Sequence, residues 1–211
     1  MEENLYLTQD KKNVPEVNYR TSWNIYPQII KKIKINGGER ILDAGCGYGE
    51  LSNWIKDSDL TGLDFRKDLV HEAKGKNYKK IVLGNIENLK FKNKEFDASF
   101  SIQVFQYLKN PEGAFGELLR VSKKQIILTI PNFNWLKLKS LFSPKWKKQY
   151  DYCIQNENIS NAKFLRDLAK NNNEIKIKIF YLSNKFGLIR NIFGNILSSE
   201  IMGVYNLNER Y

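Results

Sequence analysis

Apolar residues recur along this chain with two different periods, and the alternation between them predicts the fold class. Residues 23–35 (WNIYPQIIKKIKI) predict a helix, stopped by Asn36, Gly37 and Gly38. RILDA at 40–44 predicts a buried strand, 50–56 a helix, and LTGLDF at 60–65 the next strand. A helix around Lys67–Lys74 leads to strand KIVLG at 80–84, and FDASFSI at 96–102 supplies a fourth. Pro111 opens a helix that runs to about Val121, at a position where its missing N–H costs nothing. QIILTI at 125–130 is a fifth strand, ended by Pro131, which would deny the sheet a hydrogen bond.

The tail changes in kind. A helix over 161–170 stops at Asn171, Asn172 and Asn173, and in EIKIKIF (174–180) Ile and Lys then alternate with period two. One wet face and a Lys at every second position predict an edge strand. A last strand near 199–207 would pair antiparallel to finish the sheet. Helices alternating with strands predict an α/β fold: a seven-stranded, mostly parallel sheet with helices on both faces and the last strand antiparallel. One domain over 1–211 is expected, with 1–35 as an amino-terminal arm and helix and 131–160 as a lid or insertion.

Composition narrows this picture only a little. A chain of 211 residues with 42% hydrophobic residues can bury one sizeable core, and its mean hydropathy of -0.51 reflects abundant Lys and Asn. The start, MEENLYLTQDKKN, lacks the basic and apolar regions of a signal peptide, and no run approaches the ~18–20 apolar residues of a membrane span. A soluble, cytoplasmic protein is expected. Cys46 and Cys153 have neither CxxC nor metal-ligand spacing, so reduced thiols and no metal site are expected. The net charge of +11 is uneven: 17 Lys/Arg against 15 Asp/Glu in residues 1–105, and 17 against 8 in 106–211. Such an excess suits nucleic acid, an anionic membrane face or an acidic small molecule, and it also follows from a Lys-rich composition alone.

The candidate chemistry begins at LDAGCGYGEL (42–51), where Gly45, Gly47 and Gly49 sit between a buried strand and a helix. Glycine lets a ligand lie close to the backbone. The spacing is Asp43-x-Gly45-x-Gly47-x-Gly49, neither G-x-G-x-x-G nor a phosphate-binding P-loop. Asp43 would repel a pyrophosphate and suits an ammonium or sulfonium group. Asp64, at the end of the second strand, can accept hydrogen bonds from ribose hydroxyls; in GNIENL (84–89), Asn85 can present an amide to adenine while Ile86 packs on the ring. The ligand these residues imply is a cationic adenosine derivative.

This set resembles the class I S-adenosylmethionine-dependent methyltransferases, a Rossmann-like family, over nearly the whole chain. The resemblance implies S-adenosyl-L-methionine as cofactor, held by Asp43, Ala44, Gly45, Cys46, Gly47 and Gly49, then Asp64 and Phe65, then Asn85 and Ile86, with Ser101 at the fourth strand. The family commonly has Asp where Asn85 stands. A closer resemblance, in GELSNWI (49–55), QVFQ (103–106) and ELLRVSKKQIILTIPNFNWLKLK (117–139), is to the MetW-like methionine-biosynthesis proteins, a methyltransferase type 11-like group. It implies a homoserine acyltransferase as partner, without implying a methyl acceptor.

No strong base is evident after the fourth strand, where Ser101, Gln103 and Gln106 are polar, and no Asn-Pro-Pro-Tyr signature marks an amide or adenine acceptor. The catalytic residues therefore stay unassigned, and a small-molecule methyl acceptor is expected ahead of RNA. His71, the sole histidine, reads as a surface or partly packed residue. Tyr19, Tyr26, Tyr48 and Tyr107 are candidates to face the pocket. Within 131–152, Trp135, Leu138, Leu141 and Phe142 are expected on one helical face, as a lid, a partner or dimer surface, a membrane-surface element or an RNA patch.

Overall fold

The computed structural model describes residues 25–155, 161–182 and 200–207. Seven strands form one sheet: β1 (Arg40–Ala44), β2 (Asp59–Asp64), β3 (Lys80–Leu83), β4 (Phe96–Ile102), β5 (Ser122–Pro131), β6 (Ile175–Leu182) and β7 (Glu200–Leu207). Their spatial order is β3-β2-β1-β4-β5-β7-β6. Strands β1 to β5 pair in parallel, and β7 runs antiparallel to both β5 and β6. The predicted sheet is the observed one, with β6 at the edge.

The chain starts in the middle, winds out to β3, and returns to lay β4 on the other side of β1. Strand order therefore reverses between β1 and β4, and beyond the carboxyl ends of the strands at such a reversal open α/β sheets form their ligand crevice. Alternation on the strands sends side chains to two cores. Leu42, Ala44, Ile126, Leu128 and Ile130 pack with Ala114, Phe115, Leu118 and Val121 of α3 (Pro111–Val121) and with Leu165 of α6 (Ala162–Leu168). Ile41, Phe100, Ile127, Met202 and Val204 pack on the other face with Ile29 of α1 (Tyr26–Ile30) and with Leu51 and Ile55. Burial on both faces is why β1, β4 and β5 read as near-continuous apolar runs.

Local chemistry fixes the helix starts. Asn110 Oδ1 accepts from Gly113 N (2.9 Å) ahead of Pro111, and Asn161 Oδ1 accepts from Phe164 N (2.8 Å), each satisfying a donor the helix leaves unpaired. α2 (Lys67–Ala73) covers the β2–β3 side, as expected.

Three expectations are corrected. The helix expected over 23–35 ends at Ile30 among the described residues, because Ile33 and Ile35 alternate with exposed Lys32 and Lys34 and reach the core as extended chain. The helix expected over 50–56 is a single 3-10 turn, Glu50–Asn53, whose Ser52 hydroxyl folds back onto Gly49 O; residues 54–58 are needed to return to the start of β2. The segment 131–152 is a hairpin of two helices, α4 (Phe133–Ser140) and α5 (Pro144–Gln155), rather than one amphipathic face. Leu136 is its buried anchor, while Leu141 and Phe142 sit at the bend, 72% and 81% exposed. Phe133 packs on Tyr150, and the Lys139 ammonium lies 3.2 Å from the centre of the Trp146 ring. The amino-terminal arm with Tyr19, and residues 183–199 and 208–211 of the tail, lie outside the described residues.

No described helix is long and apolar enough to cross a membrane, and the described residues hold no cluster of metal-binding side chains.

Candidate functional site

The turn after β1 has three residues in the left-handed region: Gly45 (φ 88°), Gly47 (φ 52°) and Gly49 (φ 81°). They serve different needs. A Cβ on Gly45 would fall 2.3 Å from Val104 Cγ2, so the loop after β4 is seated directly on this glycine. A Cβ on Gly49 would meet Lys76 and Tyr78 at 2.9 and 3.1 Å. Nothing lies within 4 Å of the Cβ position at Gly47, which faces open space where a ligand can approach the backbone.

Two buried carboxylates flank this turn. Asp64 Oδ2 accepts from Gly47 N and its Oδ1 from Arg66 N, both at 2.9 Å, so one side chain ties the glycine turn to the end of β2. A carboxylate has about four acceptor positions, which leaves room for ribose hydroxyls. Burial raises the Asp64 pKa, opposed by these two backbone donors and the Arg66 charge. Asp43, 3% exposed, accepts a hydrogen bond from the Tyr78 hydroxyl at 2.5 Å. Its pKa is pushed up to about 7, first by burial and further by the Asp64 charge, with the Tyr78 bond pulling the other way. Among the described residues no cation faces Asp43.

The remaining expected residues are placed as follows. Asn85 is exposed after β3, its Oδ1 accepting from Glu87 N (2.9 Å). Phe65, 53% exposed, lies beside Asp64. Ile86 is 5% exposed within the core under α3, and Ala44 is fully buried in the same cluster. Ser101 is fully buried, its hydroxyl donating to Ala44 O (2.9 Å) and locking β4 to β1 at the crossover. Cys46 is buried within the turn, and burial together with Asp43 raises its pKa, so its thiol stays protonated and unreactive. His71 is exposed on α2, as expected. Tyr48 and Tyr107 are 49% and 41% exposed. Tyr26 is half-buried, and its pKa is raised by burial and by the charges of Asp43, Glu50 and Glu200.

Two residues escaped sequence reasoning. Tyr78 follows α2 with no motif around it. Glu200 opens β7 opposite Pro131, at the same end of the sheet as the glycine turn. It is 8% exposed, its Oε2 accepts from Gln103 Nε2 (2.7 Å), and burial raises its pKa to about 8. The signal was available: a strand antiparallel to its neighbours begins where the others end, so a carboxylate at its first residue belongs to the ligand side.

Comparison with known proteins agrees with this geometry. Residues 42–130 match the model of the Methyltransferase domain family. An uncharacterized protein of Methanocaldococcus jannaschii is 34% identical over 126 residues, covering 57% of this chain and 49% of that protein. The malonyl-[acyl-carrier protein] O-methyltransferase of Bacillus anthracis is 25% identical over 175 residues, 76% of this chain and 65% of that enzyme. The chain spans about half the length, or less, of the first curated relatives it matches. The plantazolicin methyltransferase BpumL, solved in complex with SAH, superposes with a TM-score of 0.66 at 20% identity, over 99% of this chain and 94% of that one. Residues 42–130 thus match a methyltransferase domain, and the sheet that carries them has the class I methyltransferase fold.

Proposed function

We propose that this chain is an S-adenosylmethionine-dependent methyltransferase acting on a small-molecule acceptor. The observation that carries the reading is Asp43: a buried carboxylate beside a second one, with no cationic side chain facing it among the described residues. A buried charge without a partner is costly, and a cationic ligand removes the cost. S-adenosylmethionine brings an ammonium and a sulfonium, and the residues fit it. Asp43, Gly45 and Gly47 would hold the amino-acid end, Asp64 the ribose, and Asn85 with Phe65 the adenine. Asn85 Nδ2 makes no hydrogen bond among the described residues and suits a ring nitrogen of adenine.

When bound, the cofactor supplies an electrophilic methyl group; the chain's own contribution is to orient it and to exclude water. In this reading the α4–α5 hairpin, which follows β5 after Pro131, is the lid. Calorimetric titration with S-adenosylmethionine and with S-adenosylhomocysteine tests the reading: both should bind, the product more tightly. Failure of both to bind would remove it. A second reading, a MetW-like cofactor-binding accessory protein with an acyltransferase partner, draws on the exposed Leu141 and Phe142 at the hairpin bend, which suit a docking contact.

A further inference from the structure

Three polar side chains are linked at the end of the sheet that carries the glycine turn, none of them assigned to hold the cofactor. Gln106 Nε2 donates to Gln103 O (2.9 Å) and Gln103 Oε1 (3.2 Å), and Gln103 Nε2 donates to Glu200 Oε2 (2.7 Å). Gln103 is held for this at φ 59°, a left-handed conformation that a non-glycine residue adopts at a cost, with its N–H bound to Thr129. The chain has a direction. Each bonded amide N–H points along the chain toward Glu200, leaving acceptors at both ends. Gln106 is 7% exposed, yet its Oε1 is buried without any hydrogen bond. Among the described residues, the buried Glu200 carboxylate takes its only side-chain hydrogen bond from a neutral amide, and no cation pairs with it. Polar groups in such positions normally find a partner.

The surroundings say what kind of partner. Gln103 from the loop after β4 bonds Glu200, Pro131 of β5 and Leu182 of β6 pair with it across the sheet, and the Tyr26 phenol of α1 feels its charge together with those of Asp43 and Glu50. All the charges in this set are negative. An anionic acceptor would be repelled here, and a group that donates hydrogen bonds or carries positive charge would be drawn in. Val104, next to Gln103, is the residue seated on Gly45, so this subsite adjoins the glycine turn.

We propose that Glu200, Gln103 and Gln106 form the subsite for an amine methyl acceptor, in which Glu200 binds the amine N–H and takes up its proton. This rests on the methyltransferase reading above. An ammonium gives one proton to the Glu200 carboxylate and becomes a neutral amine with a free lone pair. The nitrogen then forms its bond to the methyl carbon as the carbon–sulfur bond breaks, the electron pair leaving with sulfur. The product is the N-methylated ammonium, a neutral thioether and one proton held on Glu200, which passes to solvent.

The experiment uses the full chain saturated with S-adenosylhomocysteine, probed with ethylamine and benzylamine and, as controls, benzyl alcohol and benzoate. Carbon-13 NMR of labelled glutamate carboxylates reads Glu200, assigned by its loss in Glu200→Gln. Without amine, its signal should titrate near pH 8. An amine should move that titration downward by about one unit or more, because a bound cation favours the carboxylate; the alcohol and benzoate should not. Glu200→Gln should weaken amine binding by ~tenfold or more with S-adenosylhomocysteine affinity unchanged. Gln106→Leu, which removes the unpaired oxygen, gives an independent variant should Glu200→Gln fold poorly, and it too should weaken the amine. A Glu200 signal in the ordinary carboxylate range, or one that no amine moves, overturns the proposal. So does equal amine affinity in both variants and wild type. Loss of S-adenosylhomocysteine binding by the wild type would instead count against the methyltransferase reading.

Discussion

Two carboxylates at the same end of the sheet, Asp43 on β1 and Glu200 on β7, are almost equally buried and held in different ways. Asp43 takes its hydrogen bond from a tyrosine hydroxyl and lies beside another acid, Asp64; Glu200 takes its bond from an amide that belongs to a glutamine relay. The Asp43 side is built of backbone turns closed tightly on themselves, with Gly45 under Val104 and Gly47 tied to Asp64. The Glu200 side is built of side chains, one of them with an unpaired oxygen. A site shaped by backbone suits one fixed ligand. A site shaped by side chains suits an acceptor that other chains of the same fold can exchange for another.

The largest effect that separates the halves should come from Asp64→Ala, which frees both Gly47 N and Arg66 N. S-adenosylhomocysteine binding should fall by ~100-fold or more, since two backbone donors and the ribose acceptor are lost together. Wild-type affinity in that variant would mean the turn binds without its tie. The next effect is on stability. Gly45→Ala forces a Cβ into Val104 at a left-handed φ and should cost about 2–4 kcal/mol in denaturant unfolding. Gly47→Ala meets open space and should cost only about 1 kcal/mol, the conformational term alone. Equal costs would show that the Val104 seat gives way.

A further effect is set by pH. Asp43 and Glu200 both have folded-state pKa values above their unfolded ones, about 7 against 3.8 and about 8 against 4.5. The stability tied to each is complete below its unfolded value and is lost as pH rises through the folded one. Without ligand, the protein should therefore lose stability between about pH 4 and 8, by ~4 kcal/mol per group at most. Asp43→Asn should flatten the lower part of that slope and Glu200→Gln the upper part. A stability that rises with pH across this window would contradict the burial of both groups. The smallest effect belongs to the hairpin bend, where Leu141→Ser with Phe142→Ser should leave stability within about 0.5 kcal/mol of wild type, as both side chains are exposed. A larger loss would mean that the bend is packed.

What was legible in the sequence follows the same division. The strands of both halves could be read because burial on two faces writes continuous apolar runs, and a wet edge writes the Ile–Lys alternation of β6. The glycine turn and Asp64 could be read because backbone sites need particular residues at particular spacings. Glu200 and its relay could not be read that way: Gln103 and Gln106 were visible as polar, but their carboxylate partner is 97 residues from Gln103 and meets it only through sheet order. The short elements misled for a local reason. Ile33 and Ile35 fit a helix by composition and an extended segment by alternation, and packing on the sheet decided between them.

The binding of S-adenosylhomocysteine between pH 5.5 and 7.5, measured by calorimetry for wild type and Asp43→Asn, bears on all of this at once. An ionised Asp43 facing the ligand's ammonium predicts wild-type affinity that falls as pH drops below about 7, and affinity in Asp43→Asn that is weak and nearly independent of pH. Wild-type and Asp43→Asn proteins that bind alike across the range would contradict it, and the buried carboxylate would then belong to the sheet rather than to the site.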